Sequence, residues 1–346
     1  MSKVLVIRLS SFGDVALLVP VIYSVAAKYP QDRFSVMTRK AFSPLFENLG
    51  FNVNVIPLDL KKKHRGISGF FRVMKRILGT GFTHVADQHD VLRSKGVRFF
   101  MKLTGHRVAT IDKGRGEKNE AIITKQLCPP LKHTITRYQD VFDKLGFPAE
   151  MTFNNFFDFV PRDISKLKSL IPEKQGKWIG IAPFSKHKGK IYPFEKMEKV
   201  IELLSKEDNT TIFLFGAGKE EQAVLAEWNK KYPNIINTAG KLNLEREMLL
   251  ISYLDVMLSM DSANMHLASL VQVPVVSIWG ATHPAIGFYG YNQDPENAIQ
   301  IDNLSCRPCA IYGELPCERK DYACLNRISE ENVVSHIHKV FENKKV

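Results

Sequence analysis

Short apolar runs, each closed by a turn and followed by a helical pattern, recur along the whole chain, and this alternation restricts the fold more than any other feature. Val4-Leu5-Val6-Ile7 reads as a buried strand, and Ser10-Ser11-Phe12-Gly13-Asp14 as a turn with helix-capping residues. A helical pattern runs from Val15 to about Lys28. Further strands are expected at Phe34–Met37, Val53–Ile56, Thr83–Asp87 and Arg107–Ile111, with helical stretches between most of them. Alternating β and α units build a mainly parallel sheet covered by helices on both faces. Between Val160 and Lys177 the chain turns polar and carries prolines, and then the pattern restarts. Strands are expected at Trp178–Ala182, Thr211–Phe215, Val256–Met260 and Val275–Trp279. The expectation is two doubly wound α/β domains, at 1–165 and 175–328, followed by a C-terminal helix at 329–346. In that helix Val333, Val334, Ile337 and Val340 share one face.

With 346 residues the chain is long for one core and comfortable for two. No apolar run is long enough to span a bilayer. The N-terminal apolar stretch is short and interrupted by Arg8, unlike a signal peptide. A cytoplasmic protein with reduced thiols is therefore expected. The formal net charge of +12 lies wholly in residues 1–160, while residues 161–346 balance. Such asymmetry marks a side that meets an anionic partner. The run Lys61-Lys62-Lys63-His64-Arg65, with Arg72, Lys75 and Arg76, is a candidate contact, though it equally suits a solvated loop and helix face.

In open α/β sheets ligands sit beyond the carboxyl ends of the strands, so the residues just after strands matter most. Asp14 closes the turn after the first strand, where a carboxylate can act as general base or can cap a helix. Asp261-Ser262-Ala263-Asn264-Met265-His266 joins a strand end to a helix start, whose amides suit a diphosphate. Lys190 lies in a lysine-rich loop after the first strand of the second domain, where cations can neutralise phosphates. Gly216-Ala217-Gly218 allows close backbone approach to a ligand. No Gly-x-Gly-x-x-Gly follows the first strand, so a nicotinamide or flavin site has no support there. Cys306, Cys309, Cys317 and Cys324 fall close together and are a candidate structural zinc site. Cys128 stands apart and is expected to be buried.

Taken in order, several stretches resemble one family. Val6-Ile7-Arg8-Leu9-Ser10-Ser11-Phe12-Gly13-Asp14 resembles the opening of the ADP-heptose:lipopolysaccharide heptosyltransferases, glycosyltransferase family nine. Asp87-Gln88-His89 with Arg93-Ser94, Lys190-Ile191-Tyr192-Pro193, Asp261–Ala268 and Trp279–Pro284 resemble its later motifs. The resemblance implies a GT-B fold, two Rossmann-like domains facing across a cleft. It implies inverting, metal-independent transfer from a nucleotide-sugar, with no cofactor needed for catalysis. Asp14 would match the catalytic base. Lys190, Gly216, Gly218, Asp261, Ser262, His266 and Thr282 would match donor positions, with Glu220 or Glu221 reaching the ribose. Ser10, Ser11, Arg93 and Arg137 would match acceptor positions. The acceptor would be a phosphorylated lipid A core, met at the inner face of the inner membrane by peripheral contact. Ala263, Tyr192 and His89 depart from the family pattern, which has glycine, tryptophan and glutamine there.

Two other functions fit parts of the pattern. A nucleotide-sugar epimerase on the same architecture would use the donor cleft without an acceptor. A zinc-containing nucleic-acid-binding protein would use the basic charge and the cysteines. Against the latter, no nucleic-acid recognition motif is present and the cysteine-bearing half has no net charge.

Overall fold

In the computed structural model, which describes residues 1–343, the N-terminal apolar runs become a five-stranded parallel sheet. Its strands are β1 (Lys3–Ile7), β2 (Arg33–Arg39), β3 (Val53–Leu58), β4 (His84–Asp87) and β5 (Arg107–Thr110), in the order β3-β2-β1-β4-β5. β1 is central, and Val4 to Ile7 are fully buried. A strand covered on both faces must be apolar at every position, which is why this one reads as a continuous run. Burying those four side chains contributes about 6–12 kcal/mol before chain entropy is counted. The helices are α1 (Phe12–Lys28), α2 (Gly66–Leu78), α3 (Leu92–Leu103) and, after an intervening α4 (Arg115–Thr124), α5 (Thr134–Leu145). From β1 the chain winds outward through β2 and β3, then returns to place β4 on the other side of β1. The topological switch point therefore lies between β1 and β4.

The second sheet has six strands in the order β11-β10-β9-β6-β7-β8, and every pairing is parallel. They are β6 (Lys177–Ala182), β7 (Thr210–Leu214), β8 (Ile235–Asn237), β9 (Val256–Met260), β10 (Val275–Ile278) and β11 (Ala298–Ile299). β8 and β11 are additions to the expected set. The helices are α6 (Phe194–Ser205), α7 (Lys219–Lys231), α8 (Leu244–Ser252), α9 (Ala263–Leu270), α10 (Ala323–Asn326) and α11 (Glu330–Asn343). Here the switch point lies between β6 and β9. On α11, Val333, Ile337 and Val340 enter the core of this unit and Val334 packs against its edge. The expected end of that helix, Lys344–Val346, lies outside the described residues.

Contacts divide the chain into one unit of residues 1–113 and 132–161 and another of 114–131 and 162–346. The segment 114–131, read from sequence as part of the first domain, thus packs with the second. Leu131 N–H donates to the Ala285 carbonyl at 2.8 Å and Lys125 Nζ to that of Pro308 at 2.9 Å. Lys118 Nζ lies 4.1 Å from the centre of the Phe288 ring. Among the described residues, no helix is long and apolar enough to cross a membrane.

Candidate functional site

In the first unit, residues from the ends of β1 and β4 meet at the switch point. Asp14 lies in the first turn of α1 rather than at its N-cap, which is Ser11. Its Oδ2 accepts from the Ser11 N–H at 3.1 Å and from the Ser11 hydroxyl at 2.6 Å, and lies 2.7 Å from Arg8 NH2. The Asp14 side chain is 19% exposed, against 6% for Arg8. Arg8 also donates through NH1 to the Gln88 carbonyl at 2.6 Å and faces the Tyr138 ring. Tyr138 Oη donates to the Asp14 carbonyl at 3.0 Å. A buried guanidinium thus orients a carboxylate that reaches solvent. Beside it, Ser10 Oγ and His89 Nε2 are 3.2 Å apart. Burial, reinforced by Arg8 and Lys113, pushes the His89 imidazole down to about 3, so it is neutral at ordinary pH.

Two further expected acceptor residues lie on α3 and α5 of this unit. Arg93 donates through NH1 to the His64 carbonyl at 3.0 Å, tying the start of α3 to the lysine-rich loop. Arg137 is buried and donates to the carbonyls of Lys132 and Asp112 at 3.1 and 3.3 Å. Its guanidinium braces two loops.

In the second unit the residues after β6, β9 and β10 converge. Lys190 Nζ lies 3.0 Å from Asp261 Oδ2, and Thr282 Oγ1 donates to the same oxygen at 2.8 Å. Asp261 is therefore a partner of Lys190 and not a cap of α9, whose N-cap is Ser262. Ser262 Oγ and Ser259 Oγ are 3.2 Å apart, and His266 is buried on α9. The β6 loop approaches so closely that a Cβ on Gly189 would stand 2.9 Å from that of Ala281. A Cβ on Gly313 would meet the Lys190 stem at 2.6 Å, so glycine there leaves room for the lysine. After β7, Gly216 and Gly218 form the turn into α7, with Gly218 at a left-handed φ of 66°. Glu221 folds back, its carboxylate accepting from the Ala217 N–H at 2.6 Å, while Glu220 is exposed.

Sequence reasoning assigned no role to Arg8, Tyr138 or Arg307. Arg307 is buried and donates to the carbonyls of Gly280, Ile301 and Thr282 at 2.6, 2.7 and 2.8 Å, fixing the loop that carries Thr282. An arginine within a cysteine-rich stretch gives no hint of this.

The zinc expectation is not met. Among the described residues no group of three or more His, Cys, Asp or Glu side chains comes together to hold a metal. Cys324 packs into the apolar core with Leu325 and Ile328, and Cys309 Sγ donates to the Cys306 carbonyl at 3.0 Å. Cys306 and Cys317 are half-buried, and burial pushes the Cys309 thiol up to about 11. Cys128, expected to be buried, is exposed.

Known proteins resemble this chain over nearly its full length. The lipopolysaccharide core heptosyltransferase OpsX of Haemophilus influenzae is 23% identical, over 97% of this chain and 96% of that protein. The structure of E. coli heptosyltransferase WaaC with ADP superposes with a TM-score of 0.69 at 15% identity, covering 98% of this chain and 99% of that one. A glycosyl transferase family 9 structure from Veillonella parvula gives 0.76 at 18% identity, covering 99% and 98%. The fold is that of these enzymes, with a Rossmann-like parallel sheet in each unit. The family description "Glycosyltransferase family 9 (heptosyltransferase)" matches residues 70–314, well over half of the sequence. The chain belongs to glycosyltransferase family 9, the heptosyltransferases.

Proposed function

We propose that this enzyme transfers a heptose, or a closely related sugar, from an ADP-sugar to a hydroxyl of a phosphorylated lipopolysaccharide core, with inversion and without a catalytic metal. The observation that carries this reading is the pair of polar clusters at the two switch points, an Arg8-held carboxylate that reaches solvent in the first unit and a lysine–aspartate pair beside a helix start in the second. Inverting displacement needs a base on the attacking hydroxyl and a sink for the charge of the leaving diphosphate. Asp14, oriented by Arg8, takes the hydroxyl proton. Ser10 and Ser11 meet the acceptor beside it, and neutral His89 can hydrogen-bond a sugar hydroxyl without placing another charge there. Arg93 lies on the acceptor side, and Arg137 acts as a positioning residue for the loops around it.

In the second unit, Lys190 and the N-terminal amides of α9 receive the diphosphate. Asp261, itself held by the Thr282 hydroxyl, keeps the ammonium in place, and Ser262 and His266 line the same helix start. Gly216 and Gly218 let the nucleotide approach the β7 turn. Glu221 is engaged by the Ala217 amide, so Glu220 is assigned to the ribose. OpsX, named a lipopolysaccharide core heptosyltransferase, and WaaC, solved with ADP, support the substrate classes. The basic first unit suits a polyanionic acceptor and a peripheral stay at the membrane where that acceptor resides.

The test is a panel of nucleotide-sugars offered with lipid A core acceptor, read by mass spectrometry, with and without EDTA. Addition of one heptose mass, undiminished by EDTA, is expected. Epimerised sugar without acceptor, or no product from any donor, would refute the reading.

A further inference from the structure

We propose that the outward faces of α2 and α3 form a docking surface for an anionic lipid bilayer. Each helix carries two apolar faces. On α3 the inner one, Val97 and Met101, is buried in the unit. The outer one is a stripe of Leu92, Phe99 and Leu103, spaced to share a side of the helix, at 89%, 59% and 68% exposure. On α2, Val73 and Ile77 go inward while Ile67 and Phe71 stand 78% and 57% exposed. Phe70 joins the two helices, its ring pressed over Gly96 and 6.2 Å from the Phe100 ring. The exposed side chains are therefore parts of one patch and not scattered surface residues. A soluble face of this kind is unfavourable unless something covers it.

Charge identifies the cover. No Asp or Glu occurs from Lys61 to Ala86 or from Val91 to Ile111. Lys95 and Lys102 flank the α3 stripe, Lys75 flanks that of α2, and the lysines at 61–63 lead into it. Aromatic and branched side chains between lysines, on helices lacking any acid, are the composition of helices that lie in the headgroup region of anionic membranes. A second copy of the chain would set like charges against each other, which disfavours self-association through this face. The inference deepens the reading above, since a membrane-borne acceptor gives docking a purpose, but the binding stands on α2 and α3 alone.

The experiment uses the full-length protein with vesicles that contain no acceptor, either phosphatidylglycerol with phosphatidylethanolamine or phosphatidylcholine alone. The three native tryptophans, Trp178, Trp228 and Trp279, are buried, so an indole introduced by Phe99→Trp reports on the patch. A blue shift with anionic vesicles, quenched by brominated acyl chains, is expected. The combined variant Phe71→Ser, Phe99→Ser, Leu103→Ser is expected to sediment with anionic vesicles at least about tenfold more weakly, and so is Lys75→Glu, Lys95→Glu, Lys102→Glu. The serine variant should keep wild-type transfer to a soluble, deacylated acceptor. No blue shift, equal sedimentation of variants and wild type, or equal binding to phosphatidylcholine overturns the assignment. So does a lipid-free dimer that the serine substitutions dissolve. Vesicle binding without transfer to any acceptor would refute the proposed reaction and leave the docking surface standing.

Discussion

Replacing Asp14 with asparagine separates its structural work from its chemical work. Asparagine keeps the shape and an acceptor for the Ser11 N–H and hydroxyl, but it loses the charge facing Arg8 at 2.7 Å. A charge-assisted hydrogen bond contributes about 1.5–3 kcal/mol. Asp14 is one-fifth exposed, so solvent screens part of that, and about 1–2 kcal/mol is the expected stability loss. Arg8 retains the Gln88 carbonyl and the Tyr138 ring. Against a folding stability of about 5–15 kcal/mol, nearly all molecules remain folded. Loss of a general base slows turnover by about 10²–10⁴, equivalent to about 2.7–5.4 kcal/mol in the barrier. The rate effect therefore exceeds the stability effect and cannot arise from unfolding. Initial rates with ADP-heptose and soluble acceptor measure the first, thermal melts the second. Calorimetry with ADP should give an unchanged Kd, because the residues proposed for the donor lie in the second unit. A kcat within about threefold of wild type, with an intact melt, would remove Asp14 from the base role.

Lys190→Ala should weaken ADP binding by about tenfold or more and slow transfer, since it removes the proposed phosphate-binding cation and leaves the Asp261 carboxylate without its ammonium partner. Calorimetry decides it, and a change confined to acceptor KM would contradict the donor assignment. Arg307→Met should leave several buried carbonyls unpaired and cost about 3–5 kcal/mol. A melting point lowered by about 10 °C is expected, and a shift under 3 °C would refute the bracing role. For His89, an unfolded imidazole takes up its proton near pH 6.5 and the folded one only near 3. The unfolded chain holds the extra proton between those values, so stability falls as pH drops from about 6.5 toward 3, by up to about 1.4 kcal/mol per pH unit. His89→Gln should flatten that decline in melts taken between pH 7 and 5, and an unchanged slope would show that His89 is not the group concerned.

The long strands and their order along the chain were legible because a doubly covered strand has to be apolar at every position. β8 and β11 were not, since three and two residues are too few to show a pattern. Asp14, Lys190 and Asp261 were singled out because strand ends in such sheets are where ligands bind, and each does lie in a polar cluster at such an end. Their partners were harder to see. Arg8 looks like the polar residue that ends a strand, and only the fold brings it back onto Asp14. Lys190 and Asp261 were read as separate donor contacts, whereas seventy residues of intervening chain return them to a shared ion pair. The cysteines misled because closeness in sequence is weaker evidence for a metal than convergence of side chains.

The passage of 114–131 into the second unit has a practical consequence for anyone building chimeras in this family. A cut near residue 161 looks natural from sequence, yet it would strand α4 on the wrong fragment and strip the Phe288 ring of its lysine. Exchanging the second unit between relatives would require transplanting two stretches of gene, the later half and an eighteen-codon piece from the earlier one. Recombination at a single crossover should then yield mostly damaged proteins, and the two units would be inherited together.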